Sequence, residues 1–296
     1  MNAGQVGDEA AGLENPVLNG PYDPPMRHFV IGPKGPTGEV TEGRRPSESF
    51  IPVAPVRKRG PRVKTTAGMP SATSGDQLTL SLVEETRQLN TLINELRQDV
   101  SNWRGAGFPG TTATTAKLLR HWADPHRENR ILFAQREAAE TAIFLAEVAG
   151  RTKGFRDRRA VISEVNATHN ENIPRIALKM ATGSGKTVVM AMLIAWQTLN
   201  KVASPSNARY AKRFLIITPG ITIRDRLRVL QPNDSGNYYE ARGLVPDDLR
   251  GLLGKAQIIV TNYHSFLLKD AKEIKGVSKT TRQILLAGKK VDPFKE

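Results

Sequence analysis

Apolar residues recur with a helical period through the middle of the chain. From about residue 81 they fall at spacings of three, four and seven, which is typical of one face of an amphipathic helix. The members of this set are Leu82, Leu89, Leu92, Ile93, Leu96, Val100 and Trp103. Ser81 and Glu84 have the spacing of a capping box at its start, and a Gly/Pro-rich stretch at 105–110 ends it. We predict a packing helix, with a short dimerising coiled coil as the alternative.

Two more helices are predicted between residues 111 and 150. The first carries Leu118, Leu119 and Trp122 and stops before Pro125. The second runs from about Arg130 to Ala149 on a similar apolar set. Residues 151–174 are polar and basic and are predicted to form a loop, with one short helix as an option.

After residue 174 short apolar runs alternate with helical segments. Runs at 175–181, 213–219 and 256–261 are predicted as strands, and 185–199 and 246–253 as helices. Continuously apolar strands that alternate with helices favour a parallel sheet covered on both faces. The predicted fold class is α/β, with a helical region in front of the sheet domain. Residues 270–296 are basic and show no convincing strand.

The first 75 residues lack such patterning. They hold 11 of the 19 prolines and 11 of the 25 glycines of the chain, a density that indicates little packing capacity. One basic cluster stands out: Arg57, Lys58, Arg59, Arg62 and Lys64. We predict a flexible, solvated arm over 1–75, and the alternative is an arm that docks on DNA or on a later domain. The helical region then spans 76–150, the basic loop 151–174 and the sheet domain 175–296.

Charge and cysteine content narrow the function classes. The formal net charge is +14 and there is no cysteine, which excludes disulfide scaffolds, cysteine zinc sites, iron–sulfur sites and cysteine nucleophiles. The positive balance favours polyanionic partners such as nucleic acid or nucleotides. No apolar run approaches a membrane span, and the first residues lack the features of a signal peptide. We expect a soluble, cytoplasmic protein without membrane contact.

The strongest chemical signal is a glycine-rich turn between a predicted strand and a predicted helix. It comprises Ala181, Thr182, Gly183, Ser184, Gly185, Lys186 and Thr187. Such a turn directs backbone N–H groups at phosphate oxygens, and the helix N-terminus adds a favourable dipole. Lys186 can reach the β- and γ-phosphates of ATP, and the Thr187 hydroxyl can bind Mg²⁺. The general pattern has glycine where this chain has Met180, and the alternative is a plain turn with an exposed lysine.

A glutamine upstream of this turn is a candidate for base recognition. Gln135 lies at the start of a predicted amphipathic helix. A glutamine amide presents a donor and an acceptor side by side, which matches N7 and N6 of adenine. The alternative is an exposed helix glutamine without a ligand.

Two further candidates follow the second and third predicted strands, at the edge where parallel sheets bind ligands. Hydroxyl, amide, aromatic and basic groups there can contact phosphates of a nucleic-acid backbone. They are Thr218, Pro219, Gly220, Arg224 and Arg226 after one strand, and Thr261, Asn262 and Tyr263 after the other. The alternatives are an ordinary loop on a solvated basic helix and, for the adjoining His264, a core or capping residue. The five histidines show no metal-ligand spacing, and there is no G-x-S-x-G nucleophile elbow.

Three blocks together carry a family resemblance: M-A-T-G-S-G-K-T, I-I-T-P-G-I-T-I-R-D-R-L and I-I-V-T-N-Y-H-S-F. They resemble motifs I, Ia and Ib of superfamily 2 DEAD/DEAH-box helicases. Within that class, K-M-A-T-G-S-G-K-T-V-V-M-A-M-L-I-A-W-Q resembles the helicase (Res) subunit of type III restriction enzymes and related restriction endonuclease-like proteins. F-A-Q-R-E-A-A-E-T resembles the adenine-reading segment ahead of motif I, and stretches at 15–29 and 43–47 resemble the amino-terminal region of such proteins.

The resemblance implies a RecA-like P-loop ATPase that moves along or opens duplex DNA. It implies ATP and Mg²⁺ as cofactors, duplex DNA as a partner bound through its backbone, and a modification (methyltransferase) subunit as a second partner. The family also has a D-E-x-H motif after motif Ib and a second RecA-like domain. The sequence after residue 264 has no D-E-x-H. We therefore expect an amino-terminal piece of a longer protein that is inactive by itself. The rivals are a nucleic-acid-binding or regulatory remnant that does not hydrolyse ATP and a P-loop kinase.

Overall fold

The computed structural model describes residues 15–32, 35–52, 85–171 and 173–263. The chain divides into two compact units. One comprises residues up to 111 together with 131–179, and the other comprises 112–130 together with the residues from 180 onward. The capping box at 81–84, the basic cluster at 57–64, His264 and the segment 270–296 lie outside the described residues.

The first unit begins with an antiparallel hairpin of β1 (Arg27–Gly32) and β2 (Gly35–Glu42). Arg27 pairs with Glu42, and a bulge interrupts the register between Phe29 and Ile31. Asn19 fastens the chain ahead of β1, because its Oδ1 accepts from the N–H groups of Met26 and Arg27 at 2.8 and 3.0 Å. The described part of the Pro/Gly-rich segment is thus folded where the sequence predicted a disordered arm.

A second antiparallel pair joins this segment to the helical region. It consists of β3 (Glu48–Pro52) and β4 (Glu85–Leu89), with Glu48 opposite Leu89. Helix α1 (Thr91–Gly105) follows at once. The prediction of a helix from about residue 81 is therefore wrong for 85–89, where Leu89 is 58% exposed and outside the core. Pairing with β3 supplies hydrogen bonds along one edge of β4, and a helical period within one segment cannot reveal such a partner.

The core of the first unit forms between α1 and α3 (Phe133–Ile143), which continues as one π-helical turn over Phe144–Val148. The Trp103 ring meets Phe108 and Phe144 with centroid distances of 4.9 and 5.4 Å. Residues 153–155 form a 3₁₀ turn and α4 runs over Arg156–His169. The basic segment is therefore mainly helical, and Arg158 ties it to Asp99 of α1 at 2.8 Å.

The second unit is built around α5 (Lys186–Ala203), whose apolar face packs on α2 (Ala113–Ala123). Both helices match their predicted positions. The contact includes a buried polar group: the Thr115 hydroxyl accepts from Trp196 Nε1 at 3.1 Å and from Asn200 Nδ2 at 2.9 Å. The remaining helices are short: α6 (Ile221–Arg226), a 3₁₀ turn at 227–230, α7 (Tyr238–Ala241) and α8 (Asp247–Leu253).

The parallel sheet of this unit contains β5 (Arg213–Thr218) and β6 (Gln257–Asn262). Both were predicted. The strand predicted over 175–181 is not formed, and Ile176 is 53% exposed. One face of the sheet also shows Leu215, Ile217 and Ile259 at 55, 53 and 64% exposure. The described residues thus cover one face, not both, and provide no neighbour that would satisfy the backbone of 175–181 as a strand.

Candidate functional site

The glycine-rich turn has the backbone that its sequence predicts. Gly183 and Gly185 have φ values of +82° and +81°, in the left-handed region that side-chain-bearing residues avoid. Gly185 is the N-cap of α5, and its carbonyl accepts the Val188 N–H at 2.9 Å. A Cβ on Gly183 would meet no atom within 4 Å. The two glycines are thus required by backbone conformation, and open space lies beside the turn.

Polar side chains of the turn fold back onto its first carbonyl. Lys186 Nζ and Ser184 Oγ donate to the Ala181 oxygen at 2.8 and 2.7 Å. The Lys186 side chain is exposed, so its ammonium lies over the turn with access to solvent. The turn therefore combines a cation, a hydroxyl and the N-terminal end of an 18-residue helix, a combination that attracts anions.

Thr187 is half-buried on the first turn of α5, next to Lys186. Within the described ranges, no three His, Asp or Glu side chains are grouped so that they could hold a metal ion. Mg²⁺ in nucleotide sites is bound mostly by water, substrate phosphates and one or two protein oxygens. A single hydroxyl at this position fits that mode.

Gln135 lies on the first turn of α3 in the other unit. Its side chain is buried, and Oε1 accepts from the Leu132 N–H at 3.2 Å. This bond satisfies one of the backbone donors that a helix start leaves free. Gln135 thus has a structural task that the sequence analysis did not assign, and adenine recognition by its amide stays a prediction.

The ends of β5 and β6 come together as predicted. Thr218 is opposite Asn262 in the parallel register, and its buried hydroxyl lies 3.1 Å from the Gly220 carbonyl oxygen and 3.3 Å from that of Thr261. Pro219 and Tyr263 are exposed, the latter at 45%. Gln231 also contacts β6, because its Nε2 donates to the Ile258 carbonyl at 2.9 Å. The strand ends form one polar edge with an exposed proline and tyrosine.

The arginines after β5 differ in their surroundings. Arg224 pairs with Asp225 at 3.1 Å, and both side chains are exposed. Arg226 is exposed at the end of α6 and forms no ion pair with a described carboxylate. Arg228 reaches Asp234 at 3.3 Å. Arg226 thus presents the least compensated charge of the three, a distinction that their equal spacing in the sequence conceals.

Comparison with known proteins gives one family. The family model described as "Type III restriction enzyme, res subunit" matches residues 134–287, just over half of the chain. The match begins within α3, next to Gln135, and extends past the glycine-rich turn and both strand ends. No curated protein and no solved structure matches the chain. In the part of the chain that the structure describes, no helix has the length and apolar content to cross a membrane.

Proposed function

The chain belongs to the type III restriction enzyme res subunit family, and from this premise we propose that it binds ATP with Mg²⁺ and acts on duplex DNA as the helicase or translocase part of a restriction system. The observation that carries the proposal is the turn at 181–187. Its two left-handed glycines open directly into an 18-residue helix and present Lys186 beside them.

Each residue of the turn has a task in nucleotide binding. Backbone N–H groups of residues 182–187 hold phosphate oxygens, and Gly183 and Gly185 permit the curvature that this requires. Lys186 exchanges its contact with the Ala181 carbonyl for phosphate oxygens, and Thr187 provides a hydroxyl to Mg²⁺. Bound ATP would supply a phosphoanhydride whose cleavage releases the free energy for movement. Gln135 is proposed to select adenine.

The polar edge of β5 and β6 is proposed to hold the DNA backbone. Thr218, Gly220, Thr261 and Asn262 provide hydroxyl, backbone and amide groups at one edge of the sheet. Arg226 adds an uncompensated charge. Contacts of this kind position a duplex without reading its sequence, which suits an enzyme that moves along DNA. A methyltransferase subunit is the partner proposed to supply sequence recognition.

Nucleotide binding by the turn is tested most directly with Lys186→Ala, measured as MgATP affinity of the whole chain. We expect the variant to lose at least about tenfold in affinity, the equivalent of ~1.4 kcal/mol for a charge-assisted phosphate contact. Lys212→Ala is the matched control, because Lys212 is exposed just before β5 and outside the turn. Equal affinities of the two variants would refute the assignment.

ATP hydrolysis needs more than the glycine-rich turn. Phosphoryl transfer needs a phosphate cradle, a held Mg²⁺ and a group that orients the attacking water, and residues 181–187 are proposed to supply only the first two. The second candidate is therefore a nucleic-acid-binding protein that binds ATP without hydrolysing it. ATPase assays with and without duplex DNA separate the candidates. A DNA-stimulated rate well above that of Lys186→Ala supports the translocase, and no difference supports the second candidate.

A further inference from the structure

An arginine-lined pocket lies in the first unit, built entirely from residues outside the glycine-rich turn and the strand ends. Its walls come from the chain on either side of the hairpin, from α1 and from Phe133 and Glu137 of α3, and its volume is about 630 Å³. A second cavity of about 370 Å³ adjoins it. Volumes of this order are typical of small-ligand sites. Arg44, Arg45 and Arg97 line both cavities, together with Glu48 in the smaller one and Glu95 and Glu137 in the larger one.

Two of the pocket arginines are compensated and two are not. Arg44 is held by Glu137 at 2.5 Å and Arg104 by Glu140 at 2.6 Å. Arg45 and Arg97, by contrast, form no ion pair with any described carboxylate. Burial and the neighbouring Arg44 lower the pKa of Arg97, against the opposing effect of Glu137. An anion beside Arg97 would relieve this crowding of Arg97 and Arg44.

Apolar side chains line the larger cavity together with these arginines. Met26 and Leu89 line the larger cavity with 65 and 58% of their surfaces exposed, and Pro24 and Pro25 extend the same wall. A ligand that carries charge alone would leave these surfaces in water. A ligand with a flat apolar part next to an anionic part would use both, and nucleotides have that construction.

We propose that this pocket binds a single nucleic-acid strand, with one phosphodiester over Arg45 and Arg97 and a nucleoside in each adjoining cavity. The two cavities with a shared arginine boundary match the alternation of base and phosphate along a strand. A free nucleotide would occupy one cavity and leave the other empty. The pocket shares no residue with the glycine-rich turn or the strand ends, although Phe133 and Glu137 line it on α3, the same helix that carries Gln135.

The test measures binding of a fluorescent twelve-nucleotide single strand to the full chain in a Lys186→Ala background, where the glycine-rich turn binds phosphate less tightly. Arg45→Ala and Arg97→Gln are each expected to weaken binding about three- to tenfold and to lower the slope of log K against log salt by roughly one, as loss of one phosphate contact does. Arg151→Ala, an exposed arginine away from the pocket in the same unit, is expected to keep the parental affinity and slope.

Placement of the strand is tested by photocrosslinking. With p-benzoylphenylalanine at position 26 the strand should crosslink, and Arg45→Ala should reduce the yield. The same group in place of Val165, which is 49% exposed on α4, should give little product. Arg45 is exposed, so its variant remains informative if Arg97→Gln folds poorly.

Three results would overturn the proposal. One is parental strand affinity in both pocket variants, and another is equal crosslinking at positions 26 and 165. The third is a combined result: ATP or pyrophosphate abolishes crosslinking at position 26, and a thymidine dinucleotide binds no more tightly than thymidine monophosphate. That third result would assign the pocket to a free phosphate ligand. Because Lys186 is replaced in the parent and in every variant, a difference between them does not come from ATP binding at the turn.

Discussion

Arg44 and Glu137 lie 93 positions apart in the chain and form a two-pronged ion pair, with Nη1 2.5 Å from Oε1 and Nη2 2.6 Å from Oε2. The pair fastens the segment between β2 and β3 to the middle of α3. Planar guanidinium and carboxylate groups bind each other in this geometry with two parallel hydrogen bonds. Glu137 is well buried and Arg44 about two-thirds buried, so water screens the pair only in part.

Breaking this pair should loosen the amino-terminal segment. Arg44→Met is expected to lower the free energy of unfolding by about 1–2 kcal/mol, discounted for the exposed part of Arg44. It should also speed proteolysis within residues 15–52. Arg44→Lys should recover only part of the loss, because an ammonium cannot form both bonds. Additive effects of Arg44→Met and Glu137→Gln in a double-mutant cycle would contradict the coupling.

Gln135 is expected to have two separable effects. Gln135→Ala should weaken ATP binding relative to GTP by ~1–3 kcal/mol, the scale of one bidentate base contact. It should also destabilise the start of α3 by about 0.5–1 kcal/mol, because the Leu132 N–H loses its acceptor. Gln135→Glu keeps an acceptor for Leu132 but lacks the amide donor. This variant should restore stability without restoring adenine preference. If the ratio of ATP affinity to GTP affinity is unchanged in both variants, Gln135 caps the helix and does not recognise adenine.

The arginines after β5 should differ in their effect on duplex binding. Arg226→Ala is expected to reduce the slope of log K against log salt by roughly one, because its charge is uncompensated. Arg224→Ala should reduce it less, since Asp225 already neutralises part of that charge at 3.1 Å. Asp225→Asn is the matched control and should strengthen binding by releasing Arg224. Identical slopes for all three variants and the parent would remove this edge from the DNA site.

His121 should make the second unit sensitive to acid. Burial lowers the pKa of His121 below its ordinary value, partly opposed by the hydrogen bond with the Gly243 carbonyl at 2.7 Å. The unfolded chain therefore takes up the proton first on acidification. The free energy of unfolding should fall as the pH drops through about 6.5, the unfolded value. Thermal melts from pH 8 to 5.5 should show a flatter profile for His121→Gln than for the exposed control His126→Gln.

Local sequence was sufficient where an element depends on its own residues. The positions of α2, α5, β5 and β6 followed from apolar spacing, and the turn at 181–187 followed from the glycines that its backbone needs. The approach of Thr218 to Thr261 also followed, because parallel strands bring their carboxyl ends to one edge. In each case the decisive forces act within a few residues or through a fixed rule of sheet geometry.

Tertiary structure decided the rest. Residues 85–89 fit a helical period yet form a strand, because β3 pairs with them along their whole length. Residues 175–181 read as a strand yet remain irregular, because the described chain gives them no neighbour. The pairing of Arg44 with Glu137 follows no spacing in the sequence, and neither does the presence of Arg45 and Arg97 in the lining of the same two cavities. Apolar periodicity shows that a face will be buried, but the partner of a strand or a charge is set by the fold of distant segments.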